Sequence, residues 1–219
     1  MTSRNEARQN VITAMLDIAA MLGGGIKSLA HYERVITSNV KDFYAGRRDA
    51  SEFIDRMIAA VEEQMRRAWN DGMRANDLDP SRDMKPEWED ILQDVINSEL
   101  DHILDFAEAI ETAKEVETPV DGLLSRAQLW INRYNDTVNL SKLTTRPDDR
   151  YAWRLGATEQ HCSTCGALNG KVATAKDWLA SGYRPQNPPN SKLECGGWRC
   201  DCSLEYTEDK ATQEGAPGI

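Results

Sequence analysis

Two regimes of hydrophobic patterning divide the chain. Up to about residue 144, apolar positions return every three or four residues, the period of a helix with one buried face; beyond residue 150 they alternate in twos, as in a half-buried strand. Ser3-Arg4-Asn5-Glu6 reads as a capping box that opens a helix through Val11, Met15, Ile18 and Leu22, and Gly23-Gly24-Gly25 ends or bends it. A second run carries Ile26, Leu29, Ile36, Val40 and Phe43 and closes at Ala45-Gly46. Asp49-Ala50-Ser51-Glu52 repeats the capping logic before a third helix, with Ile54, Ile58, Val61, Met65 and Ala68 as its apolar stripe. Asn76 to Pro80 is a turn, and Pro86 occupies a first helical position. A long acidic helix follows through Trp88, Leu92, Ile96, Ile103, Ala107 and Ile110, and after the break at Thr118-Pro119 a fifth carries Leu123, Ala127, Trp130, Tyr134 and Val138. The expected main core is Ile54, Ile58, Val61, Met65, Trp88, Leu92, Ile96, Ile103, Leu123, Ala127, Trp130 and Tyr134.

Arg146-Pro147-Asp148-Asp149 marks the end of helical organisation. Tyr151, Trp153 and Leu155 then alternate as a strand, Leu168 to Val172 reads as a tight hairpin turn, and Thr174 to Gly182 as a short capped helix whose Trp178 covers the cysteine cluster. A Pro-rich loop at residues 185–189 leads to a last strand through Leu204 and Tyr206. The pattern predicts a mainly α protein: an elongated helical body over residues 1–147, a small C-terminal α+β metal-binding module over 148–206, and a polar, disordered tail over 207–219.

Composition narrows the function. The net charge is −10 and the pI about 4.9, which argues against a protein whose main task is to coat nucleic acid. The most apolar stretch, Val11 to Leu22, is shorter than the roughly 20 residues of a membrane span and is broken by Asp17. With no secretory signal at the N-terminus, the expected compartment is the reducing cytosol.

All five cysteines fall between residues 162 and 202, as Cys162, Cys165, Cys195, Cys200 and Cys202. Cys162-Ser163-Thr164-Cys165-Gly166 has the shape of a zinc knuckle, and Cys195-Gly196-Gly197 again places glycine beside cysteine, where a tight turn needs it. An odd count in a reducing compartment disfavours a disulfide framework. A structural zinc takes four ligands, so one thiol is surplus. Cys162, Cys165, Cys195 and Cys200 are the expected set, with Cys202 the spare, on the expectation that Cys200 and Cys202, separated by one residue, turn to opposite faces of an extended strand and do not both reach the same ion. A bulge would exchange Cys202 with Cys200 or Cys195, and His161 competes from the turn it shares with Cys162. Four thiolates suit iron as well as zinc. His31 and His102 are expected on helices away from this cluster.

The string Trp153 to Cys165, then Leu168-Asn169-Gly170-Lys171-Val172, then Leu193 to Gly197 and Cys200-Asp201-Cys202, resembles the C-terminal module of phage head morphogenesis proteins, the Mu F-like minor head proteins. The likeness covers roughly residues 150–206 and is looser over the helices from about residue 50. Many members place a histidine ahead of the final Cys-x-Cys, where this chain has Cys195. The resemblance implies a minor capsid protein in the virion, and in the host cytoplasm during assembly, that works with the portal and major capsid proteins, carries a structural zinc and catalyses no reaction. Contact with packaged DNA and self-association stay open, and no membrane is implied. Two other readings compete: a zinc-supported nuclease or other effector acting on nucleic acid, for which His161 is the one histidine near the cluster, and a cytosolic zinc-ribbon adaptor.

Overall fold

The computed structural model describes residues 29–157, 160–198 and 200–218. The expected first helix and its glycine turn lie outside these residues. Helices α1 (Leu29–Tyr44), α2 (Ala50–Ala75), α3 (Pro80–Asp83), α4 (Pro86–Glu115) and α5 (Asp121–Thr145) precede β1 (Arg150–Arg154), α6 (Ser163–Leu168), β2 (Val172–Thr174), α7 (Ala175–Ser181) and β3 (Ser203–Tyr206). The protein is mainly helical with a small C-terminal sheet region. Among the described residues no helix is long and apolar enough to cross a membrane.

The helix boundaries follow their chemistry. Asp49 Oδ1 accepts the Glu52 N–H at 2.8 Å at the start of α2, Gly46 takes φ +71° beyond α1, and Asp79 caps α3 by accepting from the Ser81 N–H at 3.0 Å.

The described residues form two compact units, one of 29–64 with 96–131, the other of 65–95 with those from 132 to 218. The division falls inside the helices and not at residue 147, so the cysteine segment shares a unit with the end of α2 and the end of α5. In the first unit a run of aromatics links four helices: Phe43 stacks on Phe53 at 4.7 Å between centroids, and Phe106 lies 6.1 Å from Phe53 and 5.1 Å from Trp130. Of the expected core, Val61, Met65, Trp88, Leu92, Ile96, Ile103, Leu123, Ala127 and Trp130 are buried. Ile54 and Ile58 are only half-buried, because the buried stripe of α2 lies one position earlier, on Phe53 and Met57. Tyr134 is half-buried as well and donates its hydroxyl to Asp71.

In the second unit α5 packs on the end of α2 so closely that a Cβ at Gly72 would come within 2.6 Å of Ser141 Cβ and the Val138 carbonyl oxygen. Ser141 donates to the Trp69 carbonyl at 2.7 Å. Asn76 donates to the Lys142 carbonyl at 2.8 Å and accepts from the Tyr151 hydroxyl at 3.2 Å, which ties the first strand to the helices. The sheet has the order β2-β1-β3, antiparallel throughout, with Ala152 opposite both Val172 and Glu205.

Tyr151, Ala152 and Trp153 are all buried, so β1 is covered on both faces, where period-two alternation had implied one. The Asn169-Gly170 turn joins a helix to a strand and is not a hairpin: Asn169 closes α6 by donating to the Cys165 carbonyl, and Gly170, at φ +79°, leads into β2. Residues 207–218, expected to be disordered, run beside the sheet instead. There the Thr212 N–H donates to the Val172 carbonyl at 2.9 Å, the Thr212 hydroxyl oxygen accepts from the Val172 N–H at 3.2 Å, and Arg150 donates to the Glu208 carbonyl at 2.9 Å.

Candidate metal centre

Three segments bring the thiols together. Cys162 is the N-cap of α6, its sulfur accepting the Cys165 N–H at 3.4 Å, so one helical turn places both sulfurs on one side. The second segment turns on Gly196 and Gly197, at φ +62° and +79°. A Cβ at Gly197 would meet the Asn187 carbonyl at 2.8 Å, so the turn needs glycine for space as well as for conformation. The third segment, Cys200 to Cys202, passes over Gly156, where a Cβ would come within 2.0 Å of the Asp201 carbonyl oxygen.

The loop between these turns is anchored on α5. Arg184 pairs with Asp136 through two nitrogens, one of them at 3.1 Å, and Arg133 approaches the same carboxylate at 3.3 Å. Asp136 has a side-chain exposure of 5%. Burial pushes its carboxyl up, and the Arg184 and Arg133 guanidiniums pull against that push. Asn190 donates to the Gly182 carbonyl at 3.0 Å, and Glu194 accepts from both the Ser163 N–H, at 2.7 Å, and its hydroxyl, which bolts the second turn to the first.

All five cysteines are thereby gathered into two triads that share one member. The sulfurs of Cys162, Cys165 and Cys195 lie within 4.8 Å of one another, and so do those of Cys165, Cys200 and Cys202. Cys165 and Cys200 are 3.9 Å apart, close to the roughly 3.8 Å edge of a tetrahedron with zinc–sulfur bonds of about 2.3 Å. The cluster could hold a metal ion. Cys202 sits in it as fully as the others, with 2% exposure, against the expectation that strand alternation would turn it away. The expectation misjudged the spacing: residues two apart in extended chain point to the same side, so Cys200 and Cys202 reach the cluster together. His161 is half-buried and belongs to neither triad.

The surroundings are suited to anionic sulfur. Cys202 is pulled down to about 3 by hydrogen bonds from Cys165 and Cys200, with further help from the Gly156 N–H and the Trp153 side chain. The Trp153 indole N–H is buried without a close hydrogen-bond partner and lies near the Cys202 sulfur. Burial raises Cys162, but hydrogen bonds from Cys165 and Cys195 outweigh it and hold the thiol below its ordinary value. Burial raises Cys195, opposed by the Gly197 N–H, and Cys165 is pushed up chiefly by its bond with Cys200. Protons are thus shared unevenly among crowded sulfurs, a state that a cation relieves. Backbone N–H groups reach four of the five sulfurs, from Cys165, Gly197, Gln186 with Cys202, and Gly156. Beneath lies an apolar cluster of Tyr151, Trp153, Leu168, Trp178, Leu193 and Leu204 together with Cys165 and Cys202. Trp178, expected to cover the cysteines, is part of this floor: it packs 5.7 Å from Trp153 and donates its indole N–H to the Tyr151 carbonyl at 2.9 Å.

Sequence reasoning missed Asp136, Arg184 and Gly156 as supports of the centre. No pattern in the sequence marks an acid on α5 as the anchor of a loop 48 residues away. No protein-family model, curated protein or solved structure matches this chain.

Proposed function

We propose that this protein is a minor capsid, head morphogenesis component of a tailed bacteriophage, with a structural and assembly role beside the portal and major capsid proteins. The observation that carries the reading is the cysteine-bearing string from Trp153 to Cys202, whose residues resemble the Mu F-like C-terminal module. The all-sulfur centre supports it, since thiolates braced by backbone N–H groups would tie the turns of a small module together over its apolar floor. The ion is zinc, held by Cys165 with three of Cys162, Cys195, Cys200 and Cys202, and it closes a site that has no catalytic task. The site of action is the virion, reached from the host cytoplasm during assembly.

The test is genetic and compositional. Deleting the gene from its phage should abolish DNA-filled heads, and mass spectrometry of intact particles should find the protein in them. A deletion mutant that yields normal numbers of filled infectious particles ends the assembly reading. Metal-dependent DNA cleavage lost on His161→Ala would replace it with the nuclease.

A further inference from the structure

Beside the metal centre, within the second unit, lies a cleft of about 170 Å³ whose lining differs from the rest of the surface. Asn132 and Asn135 of α5 form one wall, and Gln186, Trp198, Cys200 and Asp201 form the other. Water takes about 30 Å³ per molecule, so the cleft displaces a handful of waters and has room for one ring. Three side-chain amides, one carboxylate and one indole face it, and among the described residues its lining carries no cation.

These groups are held in place. Asn132 donates one amide N–H to the Trp198 carbonyl at 3.3 Å, and Gln186 donates to the Cys202 carbonyl at 3.2 Å. Each keeps its second donor and its carbonyl oxygen for another partner. Asp201 accepts the Ala157 N–H at 3.2 Å on one oxygen, leaving the other. The Trp198 ring lies on Gly196, where a Cβ would come within 2.6 Å of Cδ1, and it is still 41% exposed. A tryptophan fixed by a two-glycine turn and left in water beside a polar cleft costs apolar exposure that packing alone would have removed.

We propose that this cleft binds a neutral carbohydrate, one saccharide unit stacking its C–H face on Trp198 while its hydroxyls bond to Asn132, Asn135, Gln186 and Asp201. Adjacent hydroxyls each donate and accept, which matches planar amides that do both and a carboxylate that accepts. The electrostatics favour a neutral ligand over a nucleotide. A nucleobase would stack on the indole equally well, but its phosphate would approach Asp201 in a chain of net charge −10. The site is independent of the capsid reading and of which thiols hold the metal.

The experiment uses the full metal-loaded chain, with chitotriose and maltotriose as neutral sugars and a single-stranded oligothymidylate as the anionic competitor, read by saturation-transfer NMR and tryptophan fluorescence. Binding of at least one sugar is expected, unchanged between about 50 and 500 mM salt. Asn135→Ala, at an exposed helical position, and Trp198→Ala should each weaken it about tenfold or more with metal content intact. The proposal is overturned by failure of both sugars to bind, by binding that both variants retain, or by binding of the oligothymidylate alone with an affinity that falls as salt rises.

Discussion

At the scale of single residues, Cys165 is distinguished from the other four thiols because both triads contain it. Without Cys165 the other four thiols fall into two separate pairs, Cys162 with Cys195 and Cys200 with Cys202, whereas loss of any other thiol leaves Cys165 joining the three that remain. Cys165→Ser is therefore expected to abolish stoichiometric metal binding, whereas each of the other four serine variants should bind metal with weakened affinity. Elemental analysis and a chelator competition series on the five variants check this, and a Cys165→Ser protein that keeps a full equivalent would refute it. The cluster itself was legible in the sequence, since Cys-x-x-Cys-Gly and Cys-Gly-Gly are turn chemistry that depends on neighbours along the chain. The place of Cys202 was legible too, in a spacing of two that puts it on the same side of extended chain as Cys200, and the expectation that it turns away misread that spacing.

Individual elements were legible only in part. Capping residues such as Asp49, Thr174 and Gly182 announce helix ends because a cap is made by residues a few positions apart. Which face of α2 is buried depends on partners distant in sequence, and the spacing of Ile54 and Ile58 fits a helix as well as that of Phe53 and Met57 does. The outcome is measurable. Phe53→Ala should destabilise the protein by about 3–5 kcal/mol, since it removes a fully buried ring stacked on Phe43, while Ile54→Ala should cost clearly less. Denaturant titrations of the two variants giving equal losses would contradict the burial of Phe53. Likewise Asp136→Ala strands the Arg133 and Arg184 guanidiniums and should cost about 3–5 kcal/mol. It should also loosen the loop at residues 184–190, read as faster amide hydrogen exchange there. Nothing in the spacing of Asp136 and Arg184 foretold that pair, because an ion pair between a helix and a loop leaves no periodic trace.

For the molecule as a whole, stability is expected to fall at both ends of the pH scale for different reasons. On the acid side protons compete with metal for the thiolates, so a metal-loaded chain should release its ion and its second unit should lose stability as pH drops, an effect that excess metal shifts to lower pH. On the alkaline side the groups are Tyr134 and Tyr151, both pushed up to about 12 from the ordinary 10, chiefly by burial, with Asp71 beside Tyr134 and Asp149 near Tyr151 adding to it. A phenol whose folded value exceeds its unfolded value ionises more readily in the unfolded chain. Below pH about 10 both states are protonated and the stability is fully present; between about 10 and about 12 the unfolded chain gives up its proton first, and unfolding becomes progressively easier. Urea titrations across that window should show the unfolding free energy declining with pH. The decline should shrink in a Tyr134→Phe, Tyr151→Phe double variant, with tyrosinate absorbance of the folded wild type lagging that of the unfolded chain. If the two absorbance curves coincide, the two hydroxyls are not withdrawn from water in the folded chain, and the joint between β1 and the helices of the second unit is looser than the geometry states.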